Sequence, residues 1–248
     1  MRVLWGILGV PLGAGLAFGF YFGIGSALHL PWFIALICAI PAGVYSAIAL
    51  GNGVYEVGFF SILGYMLDMT WSVLNTLVGL IYIPICLFAG GGFQMNSDTQ
   101  RSGTFCYLAS PRGPGWRMTL GTVIGGGWNR HEEVHVWQAR MFGPVYFPIY
   151  GLCWLLNVIF RLITGKLTDA AVEAYRRVCF EDWAYAAGGE TEISWGLWFL
   201  WLLICTVYVG LGVSAVVGFV ANAIVLSLIA IGVLIVYSLV RAFTPTYS

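Results

Sequence analysis

Apolar residues in this chain are gathered into long runs, several of them long enough for a helix to cross a hydrocarbon core, which takes about 20 residues. Residues 3–27 and 31–50 read as two spanning helices separated by the break His29-Leu30-Pro31, so a helical hairpin opens the chain. Arg2 ahead of the first run imitates a signal peptide, but the run is long and further spans follow it, which reads as a retained first helix. From Val54 to Phe88 the apolar pattern is interrupted by Glu56 and Asp68; this suits a tilted or interfacial segment followed by a span at about 70–89, or two short spans. Gly90-Gly91-Gly92 ends the membrane pattern, and residues 93–130 are the first stretch that belongs in water. Within it, Met118 to Ile124 (MTLGTVI) is β-prone and reads as an edge strand, while Ser110 to Gly115 is turn chemistry. A second polar zone runs from Lys166 to Glu192, with helical spacing from Asp169 to Ala187. The final apolar block suits a closing hairpin at 194–216 and 219–240.

Three regions follow: N-terminal membrane helices over 1–92, a chemistry-bearing region over 93–192 with an apolar segment at 144–163, and a C-terminal membrane hairpin over 193–248. Composition agrees with this, since 60% of the 248 residues are hydrophobic and 9% charged, against about 25% charged in soluble domains. A formal net charge of zero leaves no broad basic surface for nucleic acid, so the partners expected are the lipid bilayer and a protein or peptide. Nine of the eleven basic residues fall between Arg101 and Arg177, which by the positive-inside bias turns both polar zones to the cytoplasm. Arg241 agrees with that side; Arg2 agrees only if an even number of spans precedes residue 93, and a count of three disagrees. The six cysteines are scattered without a C-x-x-C pair and read as small buried hydrophobes.

The chemistry concentrates at His131-Glu132-Glu133-Val134-His135, an H-E-x-x-H pattern. Residues four apart share one face of a helix, so both imidazoles can reach one metal ion, and Glu132 is placed as general base toward an attacking water. Gly125-Gly126-Gly127 breaks the chain just before this helix, and Asn129 is positioned to cap it. Two of the three histidines of the chain lie in this pattern, against the plain alternative of a solvated polar turn. A catalytic zinc site uses three protein ligands, so a downstream residue must complete it: Asp169, Glu173, Glu181 or Asp182. Glu173, Arg177 and Glu181 are spaced by four and equally describe a salt-bridged face. Gln138, two helical turns beyond His131, is placed to bond substrate or a ligand, or to pack.

The run His131 to Gln138 (HEEVHVWQ), with Phe142-Gly143-Pro144 and the later Phe180 to Tyr185, resembles the H-E-x-x-H-x-x-Q and E-x-x-A pattern of gluzincin-type zinc metallopeptidases and of small bacterial membrane proteins with similar motifs. The resemblance covers about residues 117–185. The apolar runs describe an all-α polytopic membrane protein of about five to six membrane helices; the resemblance adds a small zincin-like region at the membrane face of a bacterial cell membrane. It implies Zn2+ held by His131, His135 and Glu181, with Glu132 as the base; Glu173 stays the alternative third ligand, and Gln138, Asp182 and Tyr185 are candidates near substrate or metal. Tyr146, Tyr150, Tyr175 and Tyr185 are all open for the oxyanion role. A metal shared by both polar zones requires the segment from Pro144 to Ile163 to re-enter, lie obliquely or pack inside the protein.

The expected activity is therefore peptide-bond hydrolysis by a membrane-embedded metalloendopeptidase. Its rival is a membrane scaffold with a structural metal, or a transporter with His29, Glu56 and Asp68 as an ion path.

Overall fold

A computed structural model of the chain describes residues 1–165, 170–189 and 231–240. It forms two compact units, Met1–Tyr146 and Phe147–Ser248. The first opens with α1 (Arg2–Ala27) and α2 (Phe33–Asn52), the hairpin that the apolar runs predict. Small residues face each other where these helices pack: Gly9, Gly13 and Ala17 are buried on α1, Ala42, Ser46 and Ala49 on α2. Close backbone approach over small side chains is how helices associate where lipid removes the hydrophobic driving force.

The segment from 54 to 88 is two helices, α3 (Phe59–Met69) and α4 (Val73–Phe88), bent by 94° at their junction. α1, α2 and the stretch Arg130–Ile163 are each long and apolar enough to cross a membrane, and the bent pair makes a fourth if counted as one span. These helices are those of a membrane protein by length and composition. The closing hairpin expected at 194–216 and 219–240 lies outside the described residues except for a helix at Ile231–Val240.

The expectation of an all-α protein is corrected by a small sheet. β1 (Phe93–Gln94), β2 (Phe105–Tyr107), β3 (Met118–Leu120) and β4 (Val123–Gly125) lie in the order β1-β2-β4-β3, with α5 (Ser97–Ser102) between the first two strands. MTLGTVI is not one edge strand: Gly121, with φ of 61°, turns the chain back, leaving β3 on the edge and β4 inside. Such short strands carry too few positions for an alternating pattern to reveal them. Tyr45 of α2, Met69 of α3, Tyr82 of α4, Phe105 of β2 and Val123 of β4 share one core, so the sheet is packed on the membrane helices of its own unit.

α6 (Arg130–Phe142) carries the H-E-x-x-H pattern, and polar groups at the α3–α4 bend hold its C-terminal end. The last carbonyls of a helix lack intrahelical partners. Here Ser72 Oγ donates to Ala139 O (3.0 Å), and Asn75 Nδ2 donates to Ala139 O (2.8 Å) and Gly143 O (2.7 Å). The residue after Ala139, Arg140, is fully buried against Asp68 of α3: Nε reaches Oδ1 at 2.9 Å and Nη2 reaches Oδ2 at 2.7 Å. Its Nη1 donates to Ser102 O (2.5 Å) and its Nη2 also to Gly103 O (2.7 Å). Gly64 leaves the room for this guanidinium, since a Cβ there would come within 2.9 Å of Cζ. Tyr55 completes the cluster by donating to Asp68 Oδ2 at 2.7 Å, and burial with the Asp68 charge holds its phenol well above the ordinary value, as a donor.

In the second unit, α7 (Tyr146–Ile163) begins one 3-10 turn after α6, followed by α8 (Ala170–Arg176), α9 (Cys179–Ala187) and α10 (Ile231–Val240). The helix expected from Asp169 to Ala187 is broken at 177–178, where Val178 is extended (φ −64°, ψ 136°). Asn157 of α7 explains the break: its Nδ2 donates to Ala174 O (3.2 Å) and Arg177 O (2.9 Å), satisfying carbonyls that the ended helix leaves open.

Removing one member of a buried ion pair strands the other's charge, at a cost of about 3–5 kcal/mol. Arg140→Met is therefore expected to destabilise the detergent-purified protein by that order. Asp68→Asn combined with Arg140→Met should cost clearly less than the two single changes added. Thermal melts of the four proteins check it; strict additivity would show that the pair does not act as a unit.

Candidate metal centre

α6 starts where its capping residue dictates: Asn129 is extended and its Oδ1 accepts from Glu132 N at 2.8 Å, as its place in the sequence predicts. The cap places His131 and His135 on one face with their Nε2 atoms 3.2 Å apart. Two nitrogens on a tetrahedral zinc, each bonded at about 2.0–2.1 Å, would be separated by roughly 3.3 Å, so the imidazole pair already has the spacing of one edge of such a site.

Gln138 fixes which nitrogen of His135 is available. Its Oε1 lies 2.8 Å from His135 Nδ1, so Nδ1–H donates and Nε2 is left as the basic nitrogen turned toward His131. Gln138 is fully buried and bonded to this histidine within its unit.

Glu132 points elsewhere. Adjacent positions on a helix diverge by about 100°, and its Oε2 accepts a hydrogen bond from Thr119 Oγ1 of β3 at 2.7 Å. Edge strand and helix thus hold the carboxylate beside the histidine face, at only 7% exposure. Thr119 was not legible as a site residue, since nothing in a three-residue strand marks which side chain meets a helix that begins eleven positions later. Glu133 pairs with Arg130 at 3.0 Å. Within the sheet, burial pushes the Cys106 thiol of β2 up to about 12, so it stays protonated and donates to Gln94 Oε1 of β1 at 3.2 Å. The cysteines among the described residues, Cys38, Cys86, Cys106, Cys153 and Cys179, are buried free thiols, as their scattered spacing predicts.

In the second unit Glu181 of α9 is 1% exposed and its Oε1 accepts from Tyr150 of α7 at 2.6 Å, while the Tyr150 ring stacks on Phe180. Glu173 faces two guanidinium groups instead, Arg176 at 3.5 Å and Arg161 at 4.0 Å. Asp182 accepts from Tyr237 of α10, and Tyr185 lies half-buried on α9. Asp169 lies outside the described residues. His131 and His135 in the first unit and Glu181 in the second are buried, and each offers a ligand atom of a kind that holds metal ions.

Comparison of the chain with models of protein families, with curated proteins and with solved structures found no match.

Residues that orient a metal-binding histidine typically carry about 10–100-fold in metal affinity. Gln138→Leu, which keeps bulk and removes the acceptor, is expected to weaken metal binding by that factor with little change in fold. A competitive chelator titration checks it, and unchanged affinity would remove Gln138 from the site.

Proposed function

We propose that this chain is a membrane-embedded zinc metalloendopeptidase of the gluzincin-like H-E-x-x-H type, working at the cytoplasmic face of a bacterial cell membrane. The observation that carries the reading is the paired Nε2 atoms of His131 and His135 at 3.2 Å, with a carboxylate on the next residue held apart from them by Thr119. Glu181 is the third ligand in this proposal. Its carboxylate is buried and aimed by a tyrosine, whereas that of Glu173 is engaged with two arginines. The donor set of two imidazoles and one carboxylate suits zinc and leaves a fourth position open.

Zinc bound there supplies Lewis acidity, polarising a scissile carbonyl and acidifying water toward a pKa of about 7. The residues of the chain do the rest. Glu132 takes a proton from the attacking water and delivers it to the leaving amine. Thr119 holds that carboxylate in place through its hydroxyl. β3, paired on one side with β4, offers its other backbone edge for a peptide substrate to extend the sheet. Gln138 keeps His135 in the tautomer that leaves Nε2 basic.

The rival scaffold reading requires a closed structural site of four protein ligands and gives Glu132 no task. The ion-path reading is disfavoured by placement. His29 and Glu56 are exposed in the loops at opposite ends of α2, whose 20 residues span about 30 Å. Asp68 is neutralised by Arg140.

Glu132→Gln keeps shape and removes the base, so it should retain zinc and fold yet lose hydrolysis by about two orders of magnitude or more. Membrane proteomes of cells making wild type or Glu132→Gln, searched for new protein termini, read this out; matched termini in both would favour the scaffold. Metal analysis of Glu181→Ala and Glu173→Ala separately checks the ligand: zinc should be lost from the first and kept by the second. The reverse result would move the site to Glu173.

A further inference from the structure

On the side of α6 turned away from the histidines there is a second site of different character. Arg130, Glu133 and Trp137 project from that helix at spacings of three and four, so they share one face. His131 and His135 are about 100–160° around the helix from them. With Phe60 and Leu63 of α3 and Arg101 of α5 they line a cavity of about 280 Å³ within the first unit. Its charges do not cancel. Glu133 pairs with Arg130 at 3.0 Å, leaving Arg101 as the second cation, its guanidinium 6.0 Å from the centre of the Phe60 ring. Among the described residues no carboxylate is salt-bridged to Arg101, so the cavity holds a surplus of one positive charge.

The apolar side of the cavity is continuous with a lipid-like surface. Phe59, Phe60, Ile62, Leu63 and Met66 are exposed on α3, while Ser61, Gly64, Tyr65 and Asp68 of the same helix are buried. A cationic pocket bordered by exposed aromatic and aliphatic side chains reproduces the boundary between headgroups and acyl chains. An anion attached to hydrocarbon satisfies both halves at once; a free anion satisfies only one.

We propose that this cavity binds the phosphate headgroup of an anionic membrane phospholipid, with Arg101 and Arg130 on the phosphate and the acyl chains along the exposed face of α3. The inference rests on the membrane character of the helices and is independent of the peptidase reading. Binding is testable on the full chain purified in detergent, by native mass spectrometry with phosphatidylglycerol or phosphatidylcholine of identical acyl chains. One phosphatidylglycerol should be retained in clear preference to phosphatidylcholine. Each of Arg101→Gln and Arg130→Gln should weaken it about fivefold, and Arg112→Gln, a basic residue of the same polar zone that does not line the cavity, should leave it unchanged. Glu133→Gln removes the counter-charge and should tighten binding, a gain that damage to the fold cannot imitate. Equal retention of the two lipids, unaltered binding in both cavity arginine variants, loss of binding in Glu133→Gln, or displacement by millimolar glycerol 3-phosphate would each overturn the proposal.

Discussion

The buried ion pair of Asp68 and Arg140 is the constraint on which the first unit depends. An unpaired guanidinium or carboxylate in an apolar interior is costly enough to forbid the arrangement, so a fully buried arginine dictates what surrounds it. Here it dictates three things at once: α3 must present Asp68, the end of α5 must turn its carbonyls at Ser102 and Gly103 inward, and α6 must lie with Arg140 between them. Arg140 is nine residues after His131, which on a helix is about half a turn around the axis. The face that buries the cation is thus opposite the face that displays the imidazoles. Anchoring one orients the other.

That division of labour explains how a short, polar helix holds its place in a chain that is 60% hydrophobic. α6 has 13 residues; besides its buried Val136, Ala139 and Phe142 it is held by polar contacts: the Asn129 cap at its start, Thr119 on Glu132, Asn75 and Ser72 on its last carbonyls, and the Asp68 pair. Each contact is directional, so together they set rotation and register as well as position. A metal centre needs this, because imidazole nitrogens a few tenths of an ångström out of place lose a ligand direction.

Legibility in the sequence follows the range of each interaction. The spanning hairpin, the H-E-x-x-H helix and its Asn129 cap are visible because their partners lie within four residues or in one continuous run. Asp68 drew attention as an intramembrane acid, but its partner is 72 positions away and only the fold pairs them. The same distance effect hid Thr119 behind Glu132, Tyr150 behind Glu181 and Asn157 behind the break in the helix at 177–178. The sheet was missed apart from the β-prone Met118 to Ile124, because strands of two or three residues have no periodicity to read and one glycine turned that run into a hairpin.

The central proposal is that His131 and His135 bind one metal ion through nitrogen, alongside oxygen rather than sulfur. X-ray absorption at the zinc edge on the purified, zinc-loaded chain tests this most directly, because it reports the ligand atoms themselves. The account predicts a shell of nitrogen and oxygen at about 2.0–2.1 Å with the multiple-scattering signature of two imidazoles, absent when both histidines are replaced by alanine. A sulfur shell at about 2.3 Å, or a spectrum unchanged in the double alanine variant, would contradict it.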